Sequence, residues 1–434
     1  MPVVGLQCMH CGKEYPLERL FEGCSACRSA DFTANLIVLY DLDRVKQTVT
    51  RQSLQKHRNQ GLLRYVDLLP IDLGLPFLTL GAGGTPLVRC EHLAKDLDIV
   101  NLYAKDESRN PTGTFKDRYA CVGGNVALQH GARCFIAGGG NMGAAAAAYA
   151  ASYGLLAISV ETPTESKAAI LQTLAFGGKA VPLQRYEHRY PLMKKCVDQF
   201  SCHPLSSYTP SPTGDPYSQE GAKTVAYEIC EDLGWRAPDK VIVPVGQGLA
   251  LHGIWNGFVD FYNLGLIDSL PLMIGVESSA GGSFTKTNLK EPLRIKTVQP
   301  GTTVARHAVA PKGSYKGLRA MVDSGGFPVA VDDEEVLDAR SALAKHEGLF
   351  ASATSGTAVA ALKKLRSEGR ILKGDSTICV ITGAGFKDLD MLQNSLPKIP
   401  SAVGPGWDEF QGALARHYGF KFDGVSRIER GTNG

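Results

Sequence analysis

The sequence predicts an α/β protein with two domains, in which helices cover parallel-rich sheets. Its 434 residues exceed the length at which one hydrophobic core usually stops growing, so two substantial domains are expected. From about residue 80, short apolar runs alternate with Ala-rich or amphipathic stretches of helical length, and this alternation is typical of parallel sheets. Several runs end in glycine-rich turns, where open α/β sheets bind ligands.

Six apolar runs are the predicted strands of these sheets. They are VNLYAK (100–105), RCFIAG (133–138), LLAISVE (155–161), KVIVPVG (240–246), LMIGVE (272–277) and TICVIT (377–382). The segment 207–217 is rich in Pro, Ser, Thr and Gly, and we expect it to cross between domains. The stretch from about residue 400 gives no functional signal.

Composition narrows the class of function. With 44% hydrophobic and 21% charged residues the chain is an ordinary globular protein, and its formal charge of +3 is too small to indicate nucleic acid or an anionic membrane as partner. No apolar run approaches the roughly 20 residues that span a bilayer, and the first residues lack a signal-peptide pattern. A cytoplasmic protein that acts on small molecules is therefore expected.

Four of the eleven cysteines form a metal-binding pattern. Cys8, Cys11, Cys24 and Cys27 make two C-x-x-C turns, which can present four thiolates tetrahedrally to one zinc ion. Such a site leaves no open coordination position, so residues 1–35 are predicted to form a structural zinc knuckle. An empty or redox-active cluster is the alternative. We expect the other cysteines to be buried free thiols.

The segment NPTGTFKDR (110–118) places a lysine at a predicted helix start. Lys116 precedes Asp117 and Arg118 in the first helical turn. A helix N-terminus and a nearby cation both lower the pKa of an amine, which a Schiff-base lysine requires. Taken alone, the segment fits a surface lysine better.

Three glycine-rich turns follow predicted strands, and they favour the Schiff-base interpretation of Lys116 over a surface lysine. GGGNMG (138–143) opens an Ala-rich helix and VPVGQGLA (243–250) precedes another, so both can direct backbone N–H groups at an anion. In VITGAGFKD (380–388), Thr382 ends a buried strand and can offer its hydroxyl to a ring nitrogen. Each turn alone is weak evidence, because glycine punctuates most strand-to-helix connections. The lysine segment followed by all three turns in this order is stronger evidence.

A nicotinamide-dependent oxidoreductase is the alternative from another class. Gly138, Gly140 and Gly143 satisfy G-x-G-x-x-G, and Glu161 closes the next strand, where a ribose-binding acid stands in dinucleotide folds. This alternative explains one motif and leaves the others without purpose. A binding or regulatory protein without activity is a third alternative, and the retained Lys116 argues against it.

The four motifs together resemble the tryptophan-synthase-like (fold type II) enzymes that use pyridoxal 5′-phosphate (PLP), and within them the threonine synthases. The resemblance implies a large PLP-binding domain formed by residues 36–110 and 215–434, a small mobile domain formed by 111–214, and a homodimer. Besides the cysteine knuckle, it includes the segments 79–87, 102–118, 138–150, 219–234, 243–258 and 380–388.

The resemblance also assigns roles to residues. Lys116 would hold PLP as a Schiff base and shuttle protons, and Asn141 would hydrogen-bond the phenolic oxygen. Thr382 would face the pyridine nitrogen, and a neutral partner there favours elimination over transamination. The implied phosphate cradle is Gly246, Gln247, Gly248, Leu249 and Ala250. The candidate substrate-binding residues are Gly139, Gly140, Met142, Gly143, Ser218 and Arg109.

Two departures from the family pattern bear on the substrate. The usual Ser-Thr-Gly-Asn-Thr loop is replaced by residues 138–142, so a substrate carboxylate would rely more on backbone N–H groups. The usual Asn-Pro-x-Arg segment is replaced here by residues 215–218, in which Asp215 stands in place of the asparagine and Ser218 in place of the arginine. The first change adds a negative charge, and the second removes the arginine that faces the substrate phosphate in the family. Arg109 is a candidate substitute, with a solvated surface arginine as the simpler interpretation.

The expected reaction is elimination or replacement at Cβ or Cγ of an amino acid. The resemblance to threonine synthases implies O-phosphohomoserine as substrate and water as nucleophile. Within the same fold, the alternative is a β-replacement enzyme of the cysteate or cysteine synthase type, acting on O-phosphoserine or another serine ester.

Overall fold

Three β-sheets organise the part of the chain that the computed structural model describes, residues 2–72, 74–75, 77–392 and 396–422. The chain divides into two units, residues 1–388 and 389–434, and all three sheets belong to the first. Residues 423–434, the end of the range expected for the large domain, lie outside the described residues.

The strands in chain order are β1 (Val3–Cys8), β2 (Glu14–Tyr15), β3 (Leu36–Tyr40), β4 (Leu87–Arg89), β5 (Asn101–Asp106), β6 (Cys134–Gly138), β7 (Leu156–Glu161), β8 (Lys179–Pro182), β9 (His203–Pro204), β10 (Lys240–Pro244), β11 (Leu272–Ser278), β12 (Phe327–Val331) and β13 (Ser376–Ile381). The helices of the first unit are α1 (Leu42–Thr48), α2 (Arg51–Lys56), α3 (Glu91–Asp96), α4 (Lys116–Gln129), α5 (Asn141–Tyr153), α6 (Lys167–Ala175), α7 (Arg189–Phe200), α8 (Lys223–Asp232), α9 (Leu249–Asn263), α10 (Tyr315–Asp323), α11 (Asp333–Glu347) and α12 (Ala353–Ser367). The second unit contains α13 (Leu389–Leu392) and α14 (Trp407–Tyr418).

The largest sheet has six strands in the order β12-β11-β10-β13-β5-β4, all parallel except β4, which is antiparallel to β5. Helices bury both of its faces. Val241 and Val243 of β10 belong to the core that contains Phe258 of α9, whereas Ile242 points into the core that contains Val336 of α11. Burial on both sides explains why the central strands are continuous apolar runs.

A second, fully parallel sheet has the order β8-β7-β6-β9. Phe135 and Ile136 of β6 are both fully buried, and they belong to different apolar cores. On one side lies α5, whose alanine run is buried over almost its whole length. A third, antiparallel sheet near the N-terminus has the order β2-β1-β3.

The predicted α/β class with parallel-rich sheets is confirmed. The six predicted apolar runs correspond to β5, β6, β7, β10, β11 and β13, with boundaries that differ by at most two residues. The sequence pattern missed β8 and β12, which lie at sheet edges and are only partly buried, so they lack a continuous apolar run.

Seven cysteines lie outside the N-terminal pattern. They are all free thiols, six of them buried and Cys196 partly exposed: Cys90, Cys121, Cys134, Cys196, Cys202, Cys230 and Cys379. No helix within the described ranges combines the length and the apolar character needed to cross a bilayer.

Candidate active site

One large cavity, with a volume of about 1060 Å³, lies in the first unit. The loops that follow β6, β7, β10 and β13 all contribute to its wall, as expected for a ligand site in open α/β sheets. The structure brings the following residues from the sequence prediction to this wall: Lys116, Gly139, Asn141, Met142, Ser218, Gly246, Gln247, Gly248, Leu249, Ala250 and Thr382. It does not bring Gly140, Gly143 or Arg109 there.

Lys116 is the first residue of α4, and its half-buried side chain lines the cavity. Nζ lies 4.4 Å from the centroid of the Phe115 ring and 5.2 Å from that of the Tyr119 ring. Burial lowers the pKa of Lys116 to about 8. The expected contribution of Arg118 to this shift is not found, because carboxylates balance the charge of that guanidinium.

A cluster of four buried charges fixes the start of α4. Arg118 donates through Nε and Nη2 to both oxygens of Glu107, and through Nη1 and Nη2 to both oxygens of Glu228, each at 2.7 Å. Lys105 Nζ donates to Glu228 at 2.7 Å, and the four side chains are at most 1% exposed. The cluster ties β5 and α8 to the first turn of α4, and so it orients Lys116.

The glycine turn after β6 is held by a carboxylate. Glu161 accepts a hydrogen bond from the Gly140 N–H at 2.8 Å and one from the Ser159 hydroxyl at 2.6 Å. A Cβ on Gly139 would lie 2.2 Å from Glu161 Oε2, and one on Gly143 would lie 2.1 Å from Ser159 Oγ. This corrects the ribose-binding role considered for Glu161, because its carboxylate is used to hold the turn and does not line the cavity.

The helix after this turn places the Asn141 side chain at the cavity. Helix α5 begins at Asn141, directly after Gly140, which has φ 64°. Asn141 Oδ1 is buried and has no hydrogen-bond partner among the described residues. A buried polar atom of this kind fits a ligand that supplies the missing hydrogen bond.

The turn after β10 forms an anion-binding cradle. Helix α9 begins at Leu249, after Gly248 with φ 76°. A Cβ on Gly246 would lie 2.7 Å from the carbonyl oxygen of His307, and one on Gly248 would lie 2.8 Å from the Phe284 ring. Only glycine fits this path, and the free N–H groups and dipole of the 15-residue helix favour a phosphate group there.

Thr382 follows β13 and belongs to a chain of hydroxyl groups. Its Oγ1 lies 3.2 Å from Ser355 Oγ, which lies 2.9 Å from Ser352 Oγ at the start of α12. Ser352 and Thr354 also line the cavity, although the sequence prediction did not include them. A ligand that reaches this edge of the cavity would therefore meet a neutral hydroxyl group.

The segment 215–218, where the resemblance implies a phosphate-binding arginine, carries no cation. Asp215 accepts from the N–H groups of Tyr217 and Ser218 and pairs with His203 Nε2, all at 3.0 Å. The Ser218 hydroxyl donates to the Asp215 carbonyl oxygen at 3.3 Å. The carboxylate of Asp215 is thus occupied by local hydrogen bonds, and Ser218 offers the cavity only a small polar surface.

Arg109 lies away from the cavity. Its Nε donates to Asp106 at 3.0 Å, and its side chain is 65% exposed. The substitution of Arg109 for the missing arginine is therefore not supported by its position, since the surface ion pair holds it outside the cavity wall.

Several charged residues of the cavity wall were not predicted from the sequence, among them Glu165, Arg189 and His307. His307 Nε2 lies 3.3 Å from Glu165 Oε2. Burial lowers the pKa of His307, but the hydrogen bond and charge of Glu165 outweigh burial and raise it above its usual value. Burial raises the pKa of Glu165, and His307 in turn brings it below the usual value. Glu165 and His307 are 142 positions apart in the sequence, so no local pattern connects them.

The four N-terminal cysteines converge on one point. Their sulfur atoms lie within 4.8 Å of one another, with 3.7 Å between Cys8 and Cys27 and 3.8 Å between Cys11 and Cys24. Four sulfurs bound at about 2.3 Å to a tetrahedral zinc ion would lie about 3.8 Å apart. The donor set and its spacing fit such an ion.

The fold and the cavity together define a class of enzyme. The family model described as pyridoxal-phosphate dependent enzyme matches residues 78–383, which contain Lys116, the glycine turns 138–143 and 243–250, and Thr382. The chain belongs to this family, in its fold type II branch, as a threonine-synthase-like member.

Curated relatives define that membership more closely. The threonine synthase of Methanocaldococcus jannaschii is 36% identical over 394 residues, which cover 88% of this chain and 93% of that protein. The threonine synthase of Methanosarcina acetivorans is 32% identical over 388 residues, covering 88% and 92%.

Solved structures share the fold at lower identity. Diaminopropionate ammonia lyase from Escherichia coli superposes with a TM-score of 0.63 at 14% identity, covering 80% of this chain and 91% of that one. An L-serine ammonia-lyase from Rhizomucor miehei gives 0.59 at 22% identity, covering 71% and 96%.

Proposed function

We propose that this protein catalyses PLP-dependent elimination or replacement at Cβ or Cγ of an amino acid, in the manner of a threonine synthase. The observation that carries the proposal is the position of the Lys116 amine, which lines one cavity together with two glycine-rich helix N-termini. The similarity to threonine synthases along most of the chain supports the same chemistry.

The residues of the cavity fit PLP. Gly246 and Gly248 leave room and N–H groups for its phosphate, and Thr382 can offer a neutral hydroxyl to the ring nitrogen. The amide oxygen of Asn141 is buried and lacks a hydrogen-bond partner among the described residues. When bound, PLP supplies an electron sink for the electrons released as a proton leaves the substrate's α-carbon.

The protein's own groups would perform the remaining tasks. Lys116 would hold the cofactor covalently and, once released by the substrate amine, would take the α-proton at Nζ. An amine with a pKa of about 8 is partly neutral near pH 7, so it can act as this base. Backbone N–H groups of Gly139 and Met142, which line the cavity, are the proposed contacts of the substrate carboxylate.

The proposed substrate is O-phosphohomoserine, with water as nucleophile, by similarity to the threonine synthases. O-Phosphoserine is the second candidate, because Ser218 removes the cation that would recognise the family's substrate. Both substrates carry a phosphate leaving group on an amino acid.

Two features of the organisation complete the proposal. A structural zinc ion at the four cysteines would fix the segment 1–35, which the spacing of the sulfurs supports. Movement of residues 111–214 over the large domain, formed by 36–110 and 215–434, would exclude water during the reaction, and we expect a homodimer.

Phosphate release tests the proposed reaction. Cofactor-loaded enzyme is incubated with O-phosphohomoserine or with O-phosphoserine plus sulfite, and phosphate and the new amino acid are measured. We expect threonine and phosphate from the first substrate and no release by Lys116→Ala. Cysteate from the second would favour the β-replacement alternative. Turnover of neither would refute both substrates and leave the cofactor assignment intact.

A further inference from the structure

Arg189 is a buried cation that forms no ion pair with a carboxylate in the described part of the chain. It begins α7, is 7% exposed and lines the cavity. Nη2 donates to the carbonyl oxygen of Ser207, whereas Nε has no hydrogen-bond partner and the guanidinium forms no ion pair within the described part of the chain. Because a buried charge is costly unless it is paired, an arginine in this position indicates an anionic ligand.

Aromatic rings hold the guanidinium in place. Its Cζ lies 4.6 Å from the centroid of the Tyr186 ring and 5.8 Å from that of the Tyr190 ring. Both tyrosines line the cavity beside Arg189. Rings at these distances stabilise the charge and restrict the side chain without using its N–H groups.

Hydroxyl groups lie around the same guanidinium. A Cβ on Gly138 would lie 3.1 Å from Arg189 Nη1 and 3.4 Å from Ser206 Oγ, so the glycine keeps this side of the guanidinium open. Ser207 Oγ is buried and has no hydrogen-bond partner in the described ranges. All four residues line the cavity, which therefore offers one cation and two hydroxyls at a single place.

Glu165, an acidic residue of the cavity wall, already has hydrogen-bond partners of its own. Glu165 accepts from the Thr162 hydroxyl at 3.0 Å through Oε1 and pairs with His307 at 3.3 Å through Oε2. Glu165 lies near enough for its charge to interact with that of Arg189, but among the described residues its direct ion pair is with His307. The resemblance implies an arginine where this chain has Ser218, so binding of a substrate phosphate would require a cation elsewhere in the cavity.

We propose that Arg189, with the hydroxyls of Ser206 and Ser207, binds an anionic oxygen group of the substrate, either its α-carboxylate or a side-chain phosphate. Guanidinium groups match the planar and bidentate geometry of both anions. The inference rests on the proposed function only in assigning the anion to an amino-acid substrate, and it holds for either leaving-group position.

Calorimetric titration of the cofactor-loaded enzyme tests this inference without turnover. The two probes are 2-amino-5-phosphonopentanoate, which cannot lose its phosphonate, and 2-aminopentanoate, which has only the α-carboxylate. Arg189→Gln should weaken binding of the phosphonate about 10- to 100-fold, as expected for loss of a hydrogen bond to a charged group. The control is Arg89→Gln, since that side chain is 55% exposed beside Glu91, and it should bind as wild type does.

The two probes separate the two sources of the anion. Weaker binding of the phosphonate alone assigns Arg189 to the side-chain phosphate, and equal weakening of both probes assigns it to the α-carboxylate. Arg189→Lys keeps the charge, so it should recover part of the affinity. A purely structural role would instead change the thermal midpoint or the cofactor absorption of Arg189→Gln and leave both affinities alone.

The inference is overturned if Arg189→Gln and Arg189→Lys bind both probes as tightly as Arg89→Gln does, or if the wild type binds neither probe. Failure of the proposed function has a different signature. The wild type would then bind the probes in an Arg189-dependent manner but release no phosphate from either phosphorylated amino acid.

Discussion

Neutralising Glu228 should cause a large loss in the free energy of unfolding. The substitution Glu228→Gln therefore tests whether the buried charge cluster holds α4, the helix that begins with Lys116. The Glu228 carboxylate accepts five hydrogen bonds, from Lys105, from Arg118 twice, from the Gly84 N–H and from Thr85. The substitution keeps the shape of the side chain and removes one negative charge from a cluster of two cations and two carboxylates.

The magnitude follows from burial. The four charges are at most 1% exposed and sum to zero, so Glu228→Gln leaves one uncompensated positive charge in the interior. Breaking a buried pair in this way costs about 3–5 kcal/mol. Burial raises the pKa of Glu228, but the charges of Arg118 and Lys105 outweigh burial and hold the pKa far below its usual range. The stabilisation of the folded state by ionised Glu228 is therefore fully present above the ordinary glutamate pKa of about 4.3, and it is lost only as the pH falls through the lower folded-state pKa.

Urea denaturation at pH 7, followed by circular dichroism, measures this loss. Glu368→Gln is the matched control, because that side chain is 44% exposed beside Arg370 and should cost less than about 0.5 kcal/mol. Adding Lys105→Met to Glu228→Gln returns the cluster to neutrality and should recover part of the stability. A loss no larger than that of the control would refute the role of this cluster.

Three further predictions concern the turns, the cysteines and the cavity pair. Gly139→Ala should destabilise the enzyme by about 1–3 kcal/mol in urea denaturation, because its Cβ would overlap a carboxylate, whereas Gly374→Ala, with open space around it, should not. Purified enzyme should contain equimolar zinc by metal analysis, and Cys11→Ser should lose it; a protein that purifies without metal contradicts the structural zinc. The raised pKa of His307 and the lowered pKa of Glu165 make their pair stabilising above the ordinary glutamate pKa and below the folded-state pKa of His307. Glu165→Gln should therefore cost about 1 kcal/mol at pH 6 and less at pH 8.5 in thermal denaturation, and an equal cost at both would contradict the pairing.

The sequence was informative wherever the local backbone carries the signal. Continuous apolar runs predicted the central strands because those strands are buried on both faces. Glycine turns predicted the cavity wall near Gly139 and Gly246, where a Cβ has no room. These constraints act within a few residues of chain, so they are visible without a structure.

The sequence was uninformative where the signal depends on long-range contacts. Glu165 and His307 are brought together from positions 142 residues apart, and the carbonyl that accepts from Arg189 belongs to Ser207, 18 residues further along the chain. Arg109 was considered because it stands beside the lysine motif, but its side chain turns to Asp106 at the surface. Arg109 follows the end of β5 at Asp106, and none of residues 109–114 lines the cavity, whereas Phe115 and Lys116 do.

The absorption spectrum of the purified protein tests the central claim most directly. If Lys116 holds PLP covalently, the wild type supplied with PLP should show a visible absorption band that survives dialysis, and Lys116→Ala should lack that band while it keeps the wild-type circular dichroism. A colourless wild type, or a Lys116→Ala variant with the same dialysis-resistant band, would contradict the account.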